Sequence, residues 1–173
     1  MTLDSSALID NFQWIANGGT ESLLLSGEVG RGKTYQAWGA VHTIRAVAGR
    51  RVDNSPEVVA WKCPDLLDAL RPGHDRREAT LDAVREAPVL YLDDLGAEKG
   101  SEWTSEILYR ILDHRWDWEL PTLLTSNVAT ADDLGSASAR LVSRLFGMCQ
   151  RVVLDGEDRR QAGPSVRPVP PPV

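Results

Sequence analysis

Gly27-Glu28-Val29-Gly30-Arg31-Gly32-Lys33-Thr34 decides how the rest of the chain is read. The octet fits G-x-x-x-x-G-K-[ST] at every fixed position and carries one further glycine inside it. Glycines let the backbone curl so that successive N–H groups converge on one anion with no Cβ in the way. A helix starting at the lysine adds the positive end of its dipole at the same point. Lys33 is then a mobile charge for the outer phosphates of a nucleotide, and Thr34 a hard oxygen ligand for Mg2+. The flanks agree. Ser22-Leu23-Leu24-Leu25-Ser26 is a short apolar run bounded by turn residues, which reads as a buried strand, and Lys33–Ala48 reads as a helix closed by Gly49. The predicted nucleotide-binding set is Gly27, Val29, Gly30, Arg31, Gly32, Lys33, Thr34 and Tyr35.

Further along, the strand Val89-Leu90-Tyr91-Leu92 ends in Asp93 and Asp94. An Asp pair at a strand end is on its own more often a turn or a helix cap. Behind a complete phosphate cradle it reads as metal and water chemistry. Asp93 would hold Mg2+ directly or through water, and Asp94 would orient or deprotonate an attacking water. Enzymes of this chemistry mostly carry Glu at the second position, so the shorter Asp94 implies modest turnover. Both motifs are expected at the carboxyl ends of adjacent strands, where α/β ligands bind. Thr125-Ser126-Asn127 ends a later strand, and the Asn127 amide could reach the attacking water or the γ-phosphate, a simple turn being the other reading. Arg140 and Arg144 lie four apart on one helix face, with Leu141, Leu145 and Met148 toward the core. Their counter-anion is either a surface carboxylate or the γ-phosphate of a neighbouring subunit. Arg159 and Arg160 read as a nucleotide contact or as solvated charge.

Between these motifs, further strands are expected at Val58–Trp61, Pro121–Ser126 and Arg151–Leu154. Helices are expected at Leu66–Leu70, Arg76–Glu86, Ser101–Trp118 and from Arg140 to Phe146, stopping near Gly147. In the longest of these, Ile107, Leu108, Ile111 and Leu112 share one face. A first helix is expected from Asp4 or Ser5, and Thr130–Asp133 fits a capping box. The alternation implies an α/β fold, a five-stranded parallel sheet sandwiched by helices. Residues 1–162 are expected to form one core, and 163–173 a proline-rich extended tail.

Composition narrows the function classes. A chain of 173 residues is one domain by the usual size prior, and its net charge of −6 argues against a tight grip on nucleic acid by charge alone. Any DNA contact must come from a local patch, an oligomer's channel or a partner. No apolar run approaches the roughly 20 residues that span a bilayer. With no secretory signal in view, Cys63 and Cys149 read as buried free thiols in a reducing cytoplasm. His42, His74 and His114 lack ligand spacing, and Trp103 reads as core or, less simply, as a base-stacking ring.

Taken together, the motifs resemble the DnaC/DnaI/IstB group of AAA+ ATPases, the bacterial and phage helicase loaders and transposition helpers. The likeness is carried by GEVGRGKT, VVAWKCPDLLDALR at Val58–Arg71, YLDDLGAE at Tyr91–Glu98, PTLLTSN at Pro121–Asn127, ARLVSRL at Ala139–Leu145 and GEDRR at Gly156–Arg160. The resemblance implies a P-loop NTPase without a C-terminal lid domain, using ATP or ADP with Mg2+. It implies a self-oligomer in which Asn127 is sensor I, Arg144 an arginine finger acting in trans and Arg160 sensor II. It further implies single-stranded DNA and a DnaB-type replicative helicase as partners or, in the IstB branch, DNA and a transposase. In place of the N-terminal extension usual in helicase loaders of this group, a short segment precedes Ser22. A nucleotide-gated binding module with little hydrolysis is the remaining expectation, because Asp94 replaces Glu.

Overall fold

The computed structural model describes residues 19–48, 58–96, 101–127 and 139–155. Five strands, β1 (Ser22–Ser26), β2 (Val58–Lys62), β3 (Val89–Leu95), β4 (Thr122–Ser126) and β5 (Cys149–Val153), form one parallel sheet. Their order is β2-β3-β4-β1-β5. The expected adjacency of the glycine-loop strand and the acid-pair strand is therefore wrong: β4 lies between β1 and β3. The burial of the strands explains the order. Every residue of β1 and β4 is buried, as is all of β3 except Asp94, whereas β2 and β5 are partly exposed and take the edges. In a parallel sheet the continuous apolar runs belong in the middle, where both faces are covered.

The helices are α1 (Lys33–Ala48), α2 (Cys63–Ala69), α3 (Arg77–Glu86), α4 (Glu102–Asp117) and α5 (Ala139–Met148). Successive strand residues feed opposite faces. Leu23, Leu25, Tyr91 and Leu123 pack with Ala37, Ala40, Val41 and Ile44 of α1. Leu24, Leu90, Leu92 and Leu124 pack on the other face with residues of α2, α3, α4 and α5, among them Leu66, Val84, Ile111 and Leu145. The α/β sandwich expected from the alternation is thus present. Trp103 is half-buried against the second cluster, and Cys63 and Cys149 are both buried, as expected. Burial pushes the Cys149 thiol up to about 12.

Local chemistry sets the helix ends. Ser101 caps α4: its Oγ accepts from Thr104 N at 3.1 Å, while Thr104 Oγ1 accepts from Ser101 N at 2.8 Å. Helix α5 ends at Met148, near Gly147 as expected, with Leu141, Leu145 and Met148 on one buried face at helical spacing. Strand β5 accordingly begins at Cys149, earlier than expected. The helix expected near Asp4, the capping box at Thr130–Asp133, Arg159, Arg160 and the proline-rich tail lie outside the described residues.

At the amino ends of β3 and β4 lies a residue to which the sequence patterns gave no role. Arg115, in the last turn of α4, is 0% exposed. Its Nε donates to Thr122 Oγ1 at 2.8 Å and its Nη2 to Pro121 O at 2.7 Å. Nη1 reaches Ala87 O at 2.8 Å, Val84 O at 3.1 Å and Arg85 O at 3.2 Å. Burial lowers the guanidinium to about 9.

Candidate active site

Because the sheet is parallel, β1, β4 and β3 bring their carboxyl ends to the same side. The glycine-rich loop leaves β1 there. Gly27 has φ +143°, and a Cβ on it would stand 2.3 Å from Leu154 O, just past β5. The same stretch is held by Leu154 N donating to Ser26 O at 2.7 Å. Gly30 and Gly32, at φ 86° and 84°, complete the curl. Lys33 opens α1 and is buried, with its ammonium donating to Gly27 O at 2.7 Å and Glu28 O at 2.8 Å. Arg31 is ion-paired with Glu28 on the rim. Val29 and Tyr35 stand exposed beside it.

Across from the loop, Asp93 is buried, and its Oδ1 accepts three hydroxyls. Thr125 Oγ1 donates at 2.6 Å, Tyr91 Oη at 2.7 Å and Thr34 Oγ1 at 3.0 Å. Burial first, and then the Asp93 charge, push the Tyr91 phenol far above its ordinary range, so it stays a donor. Tyr91 also meets Trp38 of α1 edge-on, with ring centroids 5.4 Å apart.

Asp94 adopts φ +64°, the left-handed region that Asp tolerates better than most side chains. There the β3–β4 register slips between Leu92 and Leu95, and Asp94 N finds Thr125 Oγ1 at 2.8 Å. The Asp94 carboxylate accepts from Asn127 Nδ2 at 2.8 Å. Thr34, Asp93, Thr125, Asp94 and Asn127 are therefore linked in one unbroken run of hydrogen bonds, with Lys33 at its edge. The structure brings Lys33, Thr34, Asp93, Asp94 and Asn127 together. Sequence reading missed Tyr91 and Thr125. Each lies two residues before a predicted site residue; Tyr91 shares a face of β3 with Asp93, and Thr125 is the penultimate residue of β4, just before Asn127.

Arg144 sits elsewhere. It pairs with Asp113 of α4, and its guanidinium carbon lies 5.6 Å from the Trp116 ring centroid. Burial alone would lower its pKa, but bonds to Tyr109 and Asp113 hold it above the usual value. Of the two expected counter-anions, the carboxylate is the one present within the subunit. Arg140 is exposed on the same helix, and Arg160 lies outside the described residues.

The donor set fits a metal-nucleotide. Among the described residues no group of three or more His, Cys, Asp or Glu could form a metal cage. Thr34 and Asp93 instead offer two hard oxygens, the partial set that Mg2+ takes when phosphates and water complete its octahedron. No helix among the described residues is long and apolar enough to cross a membrane.

No protein-family model matches the chain. It is 29% identical over 158 residues to the replicative helicase loader DnaI of Bacillus subtilis, covering 83% of this chain and 49% of that protein. The crystal structure of the DnaC helicase loader matches with a TM-score of 0.71 at 25% identity, over 90% of this chain and 93% of that one. The chain resembles the DnaC/DnaI/IstB group of AAA+ proteins in sequence and in fold. It is also 28% identical over 155 residues to an insertion-sequence protein of Mycobacterium tuberculosis described as ATP-binding, covering 86% of this chain and 58% of that protein. It spans about half the length of the curated relatives it matches.

Proposed function

We propose that this chain is an Mg2+-dependent ATPase of the helicase-loader kind, cycling with ATP and ADP in the cytoplasm, with residues 1–162 as its core. The observation that carries the reading is the run of hydrogen bonds from Thr34 through Asp93, Thr125 and Asp94 to Asn127. It ties the phosphate loop to the two carboxylates and the amide that hydrolysis requires. In this reading Gly27, Val29, Gly30, Arg31, Gly32 and Tyr35 form the loop and rim around the triphosphate, and Lys33 neutralises its outer phosphates. When bound, Mg2+ supplies charge neutralisation of the developing anion. Thr34 and Asp93 hold it. Asp94, steadied by the Asn127 amide, takes up or orients the proton of the attacking water. A carboxylate one methylene shorter than Glu keeps turnover modest.

Beyond the site, the reading includes a self-oligomer in which Arg144 leaves Asp113 to reach a neighbour's γ-phosphate, with Arg160 contacting the nucleotide from its own subunit. It includes single-stranded DNA and a DnaB-type helicase as partners, supported by the likeness to DnaI and DnaC. The insertion-sequence relative favours a second reading, a transposition helper assembling on duplex DNA.

Calorimetry with Mg-ATP tests the core of this: the parent binds and turns over ATP, and Lys33→Ala abolishes uptake. A parent that takes up neither ATP nor ADP refutes it. Mixing Arg144→Ala with Asp94→Asn protein tests the trans arginine, with partial recovery of turnover expected and no recovery at any ratio counting against it. ATP-sensitive co-purification with a DnaB-type helicase, against length-dependent assembly on duplex DNA, separates loader from transposition helper.

A further inference from the structure

We infer that Thr125 is a positioning residue for hydrolysis, a single hydroxyl that sets Asp93 and Asp94 relative to each other. The inference rests on the ATPase reading above and adds to it a residue outside the glycine loop, the acid pair and the terminal asparagine.

The geometry comes from a fault in the ladder. Strands β3 and β4 pair in step through Leu90↔Thr122, Tyr91↔Leu123 and Leu92↔Leu124, then resume only at Leu95↔Ser126. In the gap, Asp94 turns to φ +64°, and its N–H points to a side chain instead of a backbone carbonyl. Thr125, 1% exposed and paired on its other side with Leu25 of β1, fills the gap with its hydroxyl. The direction of both bonds is fixed by chemistry. The Asp94 N–H can only donate and an ionised Asp93 can only accept, so Thr125 must accept from the first and donate to the second. A β-branched side chain has few χ1 choices, which holds the hydroxyl in that place.

Asp93 Oδ1 has three donors, and they are not equivalent. Thr34 belongs to the phosphate loop and is itself the proposed metal ligand. Tyr91 and Thr125 come from the sheet and stay on Asp93 whichever way Thr34 turns. Of those two, only Thr125 also holds Asp94. Its loss would release the water-activating carboxylate and the metal-holding one from each other while leaving the phosphate loop in place.

The test compares Thr125→Val, which keeps shape without the hydroxyl, with Thr125→Ser, which keeps the hydroxyl. The inference expects kcat of Thr125→Val to fall about tenfold or more with KM for ATP changed by less than about threefold, and Thr125→Ser to recover to within about threefold of the parent. By calorimetry, Mg2+-supported ADP uptake weakens about fivefold in Thr125→Val alone, while metal-free ADP uptake is unchanged. Should Thr125→Val fail to fold, Thr125→Cys, of similar volume and a weak donor, takes its place with the same expectations. Turnover within about twofold of the parent in the hydroxyl-free variant overturns the inference. So does equal impairment of the Ser and Val variants, which would assign the position to packing. A parent chain that takes up no Mg-nucleotide overturns the ATPase reading and this inference with it, whereas an active parent unaffected by Thr125→Val overturns this inference alone.

Discussion

The two ends of the sheet each bury a charge, and they treat it differently. At the carboxyl ends, Asp93 accepts hydroxyls from Thr34, Tyr91 and Thr125, two from the sheet and one from the glycine-rich loop. At the amino ends, Arg115 donates to four backbone carbonyls and one hydroxyl, from the last turn of α3, the α3–β3 connection and the start of β4. Carbonyls fixed in the main chain cannot turn away, so the arginine acts as a clamp. The Thr34 hydroxyl, on the loop, can exchange one acceptor for another, so in the proposed reading Asp93 can trade that one contact for a metal while Tyr91 and Thr125 stay in place. The contrast places rigidity where the chain is joined and adjustability where chemistry is proposed.

Substitutions at the two ends should separate cleanly. The largest effect is expected from Arg115→Met, which removes the donors of several buried carbonyls and should lower the free energy of unfolding by about 3–5 kcal/mol. Urea titration measures it, and Mg-ADP uptake by the folded fraction should be unchanged; a loss below about 1 kcal/mol would mean that the clamp is dispensable. Asp93→Asn should do the reverse. It keeps an acceptor for the three hydroxyls, so stability should shift by about 1 kcal/mol or less, while Mg2+-supported nucleotide uptake drops about tenfold or more. Smaller again is Tyr91→Phe, with a loss of about 0.5–1.5 kcal/mol in the same titration, since one neutral donor is removed from a site with two others.

The smallest effect concerns pH and the residue beside the clamp. His114 accepts a hydrogen bond from Arg85 Nη2 at 2.9 Å, and burial together with the Arg85 charge lowers the imidazole below its usual 6.5. Such a group binds its proton more readily in the unfolded chain, so its contribution is complete above about pH 6.5 and is lost as the pH falls below it. The ring is largely solvent-screened, so the slope should be shallow. Thermal unfolding across pH 5–7 should flatten in His114→Gln, and an unchanged slope would assign the dependence to other groups.

How much of this was written in the chain depends on which interaction fixes each feature. The glycine octet and the strand before it were legible because a phosphate cradle needs particular residues at particular spacing. Strand order was not, since alternating elements say that a parallel sheet forms but not which strand sits beside which. The uninterrupted burial of Ser22–Ser26 and Thr122–Ser126 settles it. Thr125 and Tyr91 read as good strand formers; the slipped register puts the Thr125 hydroxyl to use, and the Tyr91 hydroxyl is spoken for by Asp93 two residues on. Arg115 could not be told from the exposed Arg110 on the same helix, because what sets it apart is a ring of carbonyls from distant segments. The end of α5 near Gly147 was legible to within a residue, the buried face at Leu141, Leu145 and Met148 fixing where the helix stops.

The place of β1 in the sheet has a consequence for how the molecule is made. The strand leading into the phosphate loop is the first of the five to be synthesised, yet its neighbours are β4 and β5, the last two. A growing chain therefore cannot lock that strand until Thr122 has emerged, and cannot close its second flank until Cys149–Val153 has followed. Even then, Leu154 must reach Ser26 before the bend at Gly27 is braced. The nascent protein braces its glycine-rich loop late, when nearly all of the five-stranded sheet is already outside the ribosome.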